Sequence, residues 1–223
     1  MPSVHPYPTT RDLNVEPAHT TLLFIDVQNY CARRDGTEYK DVPADEFQAQ
    51  YGWFFDQMEQ RVVPNMQRLQ EGCRKAGIEV MYTVIRNLTR DGRDRSLDYK
   101  ITGFSVPPDS WEGQVLDAIK PLDDEIVIPK SSSNVFVSTN IDYVLRNLST
   151  KYLVISGIVT DQCIATAATT ACDLGYLVTL VSDACATYTQ DRHDNTLRAI
   201  KGYCRQRTTD EFLREIGATE AVT

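Results

Sequence analysis

The chain has no apolar run near the 18 residues that a membrane-spanning helix requires, so no membrane partner is expected. Histidine is scarce: His5, His19 and His193 are the whole complement, and the six cysteines include no C-x-x-C pair and no histidine at ligand spacing. Neither a zinc site nor a disulfide framework is suggested by that pattern. Positive charge is also in short supply, with 23 Lys and Arg against 31 Asp and Glu and a formal net charge of −8. That balance argues against nucleic acid as a partner. The opening stretch MPSVHPYPTTRDLNVEP lacks the apolar centre of a signal peptide, so a cytoplasmic location with reduced thiols is expected.

What is present is ordinary for a globular protein: 223 residues, 42% hydrophobic and 24% charged. Such a length accommodates one α/β domain with a full core. Residues 1–18 carry Pro2, Pro6 and Pro8 and read as an extended arm packed on a neighbouring subunit. Residues 19–223 then form the domain, and a homo-oligomer (dimer or tetramer) is expected. Short β-branched apolar runs predict strands at 20–26, 79–86, 125–129, 152–155, 177–181 and 205–208. Between them, Phe54, Phe55, Met58, Val62, Met66 and Leu69 recur at helical spacing before a stop at Gly77, with Pro64 beginning or kinking a second segment. Further helices are predicted at 111–119, 139–148, after Cys163 to about 173, at 191–202 and at 210–216. Residues 33–50 and 87–110 have no clear period; the second is either a solvated flap or a cover for substrate. Strands alternating with helices imply an α/β fold of three layers, a parallel sheet with helices on both faces.

The chemistry concentrates in KYLVISGIVTDQCIATAA, residues 151–168. A buried strand leads through Gly157 into a turn, and Thr160 or Asp161 is the expected N-cap of the helix that follows. Cys163 then falls in the first helical turn, where unpaired N–H groups favour a thiolate and can receive an oxyanion. On position alone, an inert buried thiol is the more common outcome. Two other residues change the balance: Asp26 ends the first strand and Lys130 follows the third. In open parallel sheets ligands bind beyond the carboxyl ends of the strands, where the strand order reverses. If the order is 3-2-1-4-5-6, Asp26 and Cys163 are neighbours at that reversal. Lys130 starts two strands away, roughly 10 Å, much of which a lysine can cover. A cysteine that attacks a carbonyl must lose its proton and later deliver one to a leaving amine, and a nearby carboxylate can do both. A lysine ammonium offsets the charge that builds there.

The stretches LLFIDVQN, IPKSSSNVF, SGIVTDQCIATAATTACDLGY and SDACAT together resemble the isochorismatase-like cysteine hydrolases over nearly the whole chain. The resemblance implies a six-stranded parallel sheet of order 3-2-1-4-5-6 and a catalytic triad at Asp26, Lys130 and Cys163. It also implies a cis peptide at Ile158–Val159 and an oxyanion hole formed by the N–H groups of Val159 and Cys163. Members of the nicotinamidase type hold a metal through histidines after the first strand; none lies there in this chain, so no metal and no other cofactor is expected. Members acting on the vinyl ether of isochorismate lack the cysteine. Cys163 therefore points to a small-molecule amide or ureide substrate, the similarity being to ureidoacrylate, biuret and N-carbamoylsarcosine amidohydrolases. Asn134 departs from the serine common in that branch.

Candidate substrate contacts are Gln28 and Gln162 toward an amide, Tyr30 and Phe136 as apolar walls, and Arg86, Arg95 or Lys100 toward a carboxylate. Each has a structural counterpart: tied turns, core packing and a solvated flap. The alternatives to a hydrolase are a small-molecule binding or redox-responsive thiol protein on the same fold, and an oligomeric scaffold member with a vestigial triad.

Overall fold

The computed structural model describes residues 9–218. Six strands form one all-parallel sheet in the order β3-β2-β1-β4-β5-β6: β1 (Thr20–Ile25), β2 (Glu79–Ile85), β3 (Ile126–Lys130), β4 (Tyr152–Ile158), β5 (Leu177–Ala186) and β6 (Arg205–Arg207). Every residue of β1 and β4 is buried, as strands covered on both faces must be. The period of two then divides their side chains between two cores. Leu22 and Phe24 join the core containing Phe54, Met66 and Phe212, whereas Leu23 and Ile25 join the one containing Leu145, Ala167 and Ala171. The first core lies under α1 (Ala44–Gln57), α2 (Val63–Lys75) and, late in the chain, α8 (Thr209–Glu215). The second lies under α5 (Ile141–Asn147), α6 (Ala165–Asp173) and α7 (Gln190–Ile200). The expected three layers and strand order are present.

Several elements differ from the sequence reading. Helix α1 starts at Ala44, inside the stretch that lacks periodicity. The helical stripe is interrupted at Met58–Val62, a π-turn, before α2 resumes with Pro64 in its first turn. Proline has no N–H and its ring crowds the carbonyl four residues back, so the ladder widens just upstream of it. Residues 111–119 are not one helix but two 3₁₀ turns, Trp111–Gly113 and Asp117–Ile119. Between them Val115 bridges antiparallel to Gln28. The 87–110 stretch contains a short helix, α3 (Leu97–Thr102), capped by Ser96, whose side chain accepts from the Tyr99 N–H; the remaining short helix is α4 (Val135–Ser138). From Thr9 onward, the N-terminal segment contacts its own chain: the Val15 N–H donates to Glu215 Oε1 at 2.7 Å and Tyr152 donates to Glu16 at 2.9 Å. Residues 1–8 of the expected arm lie outside the described residues. No described helix is long and apolar enough to cross a membrane.

One close approach sets the geometry of the site. Gly157, at φ 139°, pairs with Ile25 across β4 and β1, and a Cβ there would lie 2.2 Å from the Ile25 carbonyl oxygen and 2.7 Å from its nitrogen. Only glycine permits that contact and that φ together. Gly157→Ala is therefore expected to push apart the strand ends that carry Asp26 and the Cys163 turn. Circular dichroism melting should give a Tm reduced by about 5 °C or more, in line with a backbone clash of a few kcal/mol.

Candidate active site

Register brings three distant residues to one end of the sheet. Ile25 of β1 pairs with Thr83 of β2 and Gly157 of β4, so Asp26 stands one step past the ladder. Its φ of 59° is left-handed, a conformation that aspartate tolerates better than most residues, and its N–H still reaches the Thr83 carbonyl at 2.9 Å. Lys130 closes β3 opposite Ile85 and crosses β2. Its Nζ lies 2.9 Å from Asp26 Oδ2, 3.0 Å from the Tyr99 hydroxyl, 3.1 Å from the Ser132 carbonyl and 3.4 Å from Cys163 Sγ. The ammonium is fully buried, and Asp26 and Cys163 are 2% and 6% exposed. The three N–H donors of the ammonium go to the Tyr99 hydroxyl, the Ser132 carbonyl and Cys163 Sγ, the complete valence of a lysine, and Asp26 adds the opposite charge.

Cys163 lies in a π-turn, Thr160–Ile164, that opens α6. The expected caps serve elsewhere: Thr160 bonds His193 at 2.9 Å, and Asp161 accepts from Thr187 at 2.5 Å and from Arg192 at 2.6 Å. Val159 stands at the cap position with no side-chain bond to the helix, because both polar side chains anchor the turn sideways to the β5–α7 region. Burial pushes the His193 imidazole down, so it holds Thr160 as a neutral ring. The Ile158–Val159 peptide bond is cis.

Burial also decides the charge states. Desolvation raises the Asp26 carboxyl, and the Lys130 ammonium opposes that rise. Burial works against the Lys130 charge, but Asp26 beside it outweighs this and holds the ammonium well above the usual lysine range. The Cys163 thiol is pushed up to about 11 by burial, with Lys130 pulling the other way and hydrogen bonding to Asp26 adding to the rise. Position in the first turn of a helix suggested a thiolate; in the structure, desolvation exceeds that benefit. At neutral pH the sulfur is a thiol, and Asp26, beside the Lys130 ammonium, is the group placed next to it.

The cavity over Cys163 measures about 30 Å³, and Gln162 alone among the expected substrate contacts is on its wall among the described residues. Gln28 is wholly buried and saturated: Nε2 donates to the carbonyls of Ile85 and Glu112, and Oε1 accepts from the Ile85 N–H. Tyr30 packs edge-on against Phe104, and Phe136 lies against Tyr176 in the opposite core. Arg95 donates to the carbonyls of Gly92 and Phe104, Lys100 donates to that of Arg93, and Arg86 packs on Gly113. Asn134 caps α4 by accepting from Phe136 N–H and donates to Thr170. The wall is formed instead by side chains that carried no periodic signal, including Glu38, Tyr39, Phe104 and Tyr188. Their common sign in the sequence is position, since the loops that follow β1, β2 and β5 all begin at the ligand-binding end of the sheet. Among the described residues, no three His, Cys, Asp or Glu side chains converge to hold a metal.

A family model, the isochorismatase domain, matches residues 20–211. The chain belongs to the isochorismatase family. Isochorismatase-family relatives include N-carbamoylsarcosine amidase of an Arthrobacter species, 33% identical over 108 residues, a match covering 46% of this chain and 41% of that protein. Ureidoacrylate amidohydrolase RutB of Rhizobium rhizogenes is 23% identical over 188 residues, covering 77% of this chain and 72% of its own. The solved cysteine hydrolase from Pseudomonas syringae pv. phaseolicola superposes with a TM-score of 0.74 at 21% identity, over 92% of this chain and 95% of that one, a likeness of fold. This isochorismatase-family hydrolase thus has amidases among its relatives.

The saturated shell around Lys130 generates a stability prediction. Tyr99→Phe removes one oxygen from a fully buried ammonium, at a cost of about 2 kcal/mol. Thermal melting should register a Tm about 4–8 °C lower, whereas an unchanged Tm would mean that the ammonium does not depend on this hydroxyl.

Proposed function

We propose that this protein is a cysteine-dependent amidohydrolase that cleaves the C–N bond of a small amide or of a carbamoyl or ureido group. The observation that carries the reading is the joint contact of the Lys130 ammonium with Asp26 and the Cys163 sulfur at a buried position. In this scheme Asp26 takes the thiol proton while sulfur attacks the carbonyl carbon. The oxyanion rests on the N–H groups of Val159 and Cys163. Collapse breaks the C–N bond, Asp26 returns the proton to the departing nitrogen, and ammonia leaves a thioester or thiocarbamate on sulfur. Water, deprotonated by the same carboxylate, then releases the acid and restores the thiol. Lys130 acts throughout as the fixed positive charge that tolerates a carboxylate and a developing thiolate in one buried site.

A thiol raised to about 11 suits this scheme because the proton has a built-in acceptor, and sulfur is ionised only as the bond to carbon forms. It suits the redox-responsive reading poorly, since sensor thiols are exposed and of low pKa. Ammonia release should be measured across a panel of short amides and ureides. The wild-type chain is expected to turn over at least one of them. Cys163→Ala and Asp26→Asn should each lower that rate by about 10³-fold or more. Retention of the rate in Cys163→Ala would refute the scheme.

A further inference from the structure

The amidohydrolase reading leaves open what the substrate carries at the end away from the scissile bond, and the cavity wall bears on it. Glu38 lies on the 3₁₀ turn Thr37–Tyr39, which folds back over the residues after β1. The Glu38 N–H donates to the Tyr30 carbonyl at 3.3 Å, and the Tyr39 hydroxyl donates to the Cys31 carbonyl at 3.0 Å. At Gly36, which begins the turn, a Cβ would lie 2.3 Å from the Tyr30 carbonyl oxygen, so the segment is packed down rather than loose. Its carboxyl reaches the same cavity as Asp26 and Cys163, with the Tyr188 hydroxyl 3.4 Å from Oε1 as its one side-chain hydrogen bond among the described residues. A carboxylate with one long partner has accepting capacity left over.

Among the described residues lining the cavity, none is cationic. Lys130 behind Cys163 already has Asp26. Arg192 lies over the Tyr188 ring at 5.0 Å, but Asp161 holds its guanidinium. Arg95 and Lys100 are bound to loop carbonyls. A substrate carboxylate entering here would lie beside Asp26 and Glu38, and among the described residues lining the cavity no cation faces it; Arg86, which follows β2, packs on Gly113 and is not on the wall. Burial lifts the Glu38 carboxyl to about 7, with Asp26 adding to the rise, so at neutral pH it offers an acceptor oxygen in either charge state.

We propose that Glu38 is a specificity-determining residue that accepts an N–H from the distal end of the substrate, so that the site selects neutral or cationic short amides and ureides over those ending in a carboxylate. The inference rests on the amidohydrolase reading for the scissile group, but it concerns binding and can be read without turnover.

Two matched sets test it: 3-aminopropanamide, butanamide and succinamate, and 2-aminoethylurea, propylurea and N-carbamoyl-β-alanine. Within each set the distal group alone changes, from ammonium to methyl to carboxylate. Titration calorimetry on Cys163→Ala should rank them ammonium first and carboxylate last, with about tenfold or more between the ends. Adding Glu38→Gln to that variant should reduce the ammonium-over-methyl preference by about tenfold while leaving the methyl compounds within about twofold. Tighter binding of the carboxylate compounds, equal loss for all compounds in Glu38→Gln, or binding of none of the six would each overturn the proposal. Failure of the hydrolytic reading is distinguishable: the ranking appears in calorimetry while the wild-type chain releases no ammonia.

Discussion

One ammonium buried without access to water holds this site together. An isolated lysine charge in that position would be strongly unfavourable, and it persists because three oxygens and a sulfur from four parts of the chain surround it. Asp26 comes from the end of β1, Tyr99 from α3, Ser132 from the turn after β3 and Cys163 from the turn after β4. Each of these segments is fixed by the need to satisfy Lys130, and Lys130 is fixed by the register of β3 on β2. The arrangement is a set of mutual constraints in which no member is free to relax alone. A buried pair of this kind contributes more to specifying one geometry than to overall stability.

The same constraint explains the charge states. Water would solvate a thiolate at Cys163; the cavity does not, and the thiol therefore stays protonated at neutral pH. The Lys130 ammonium keeps its charge beside Asp26, and in turn opposes the rise that burial imposes on that carboxyl. In the proposed reaction, moving the thiol proton to Asp26 as a carbonyl is attacked creates negative charge where Lys130 already stands. Preorganised charge of this sort acts without reorganisation during the chemical step.

Much of the frame was legible in the chain. Buried apolar runs ending in Asp26, Pro129-Lys130 and Gly157 placed three strand ends, and the reversal point of a parallel sheet brought them together. The substrate side of the site was less legible, for a physical reason. Gln28, Arg95 and Lys100 have the side chains that recognise amides and carboxylates, but carbonyls of the surrounding loops use up their donors. Glu38, Tyr99 and Phe104 stand in aperiodic stretches, where position is set by tertiary contacts that a linear pattern does not encode. The helix-terminus argument for a thiolate was sound for an exposed turn; burial reversed its sign here.

The interaction between Lys130 and Cys163 is open to direct measurement through alkylation of the cysteine by iodoacetamide, followed peptide by peptide with mass spectrometry from pH 6 upward. In the wild-type chain the rate at Cys163 is predicted to climb through neutrality toward a midpoint near 11. In Lys130→Met, which keeps the length and removes the charge, the midpoint should move higher and the rate fall at every pH, because the attraction that favours the thiolate is gone. A wild-type plateau near neutrality, or superimposable curves for the two proteins, would contradict the account.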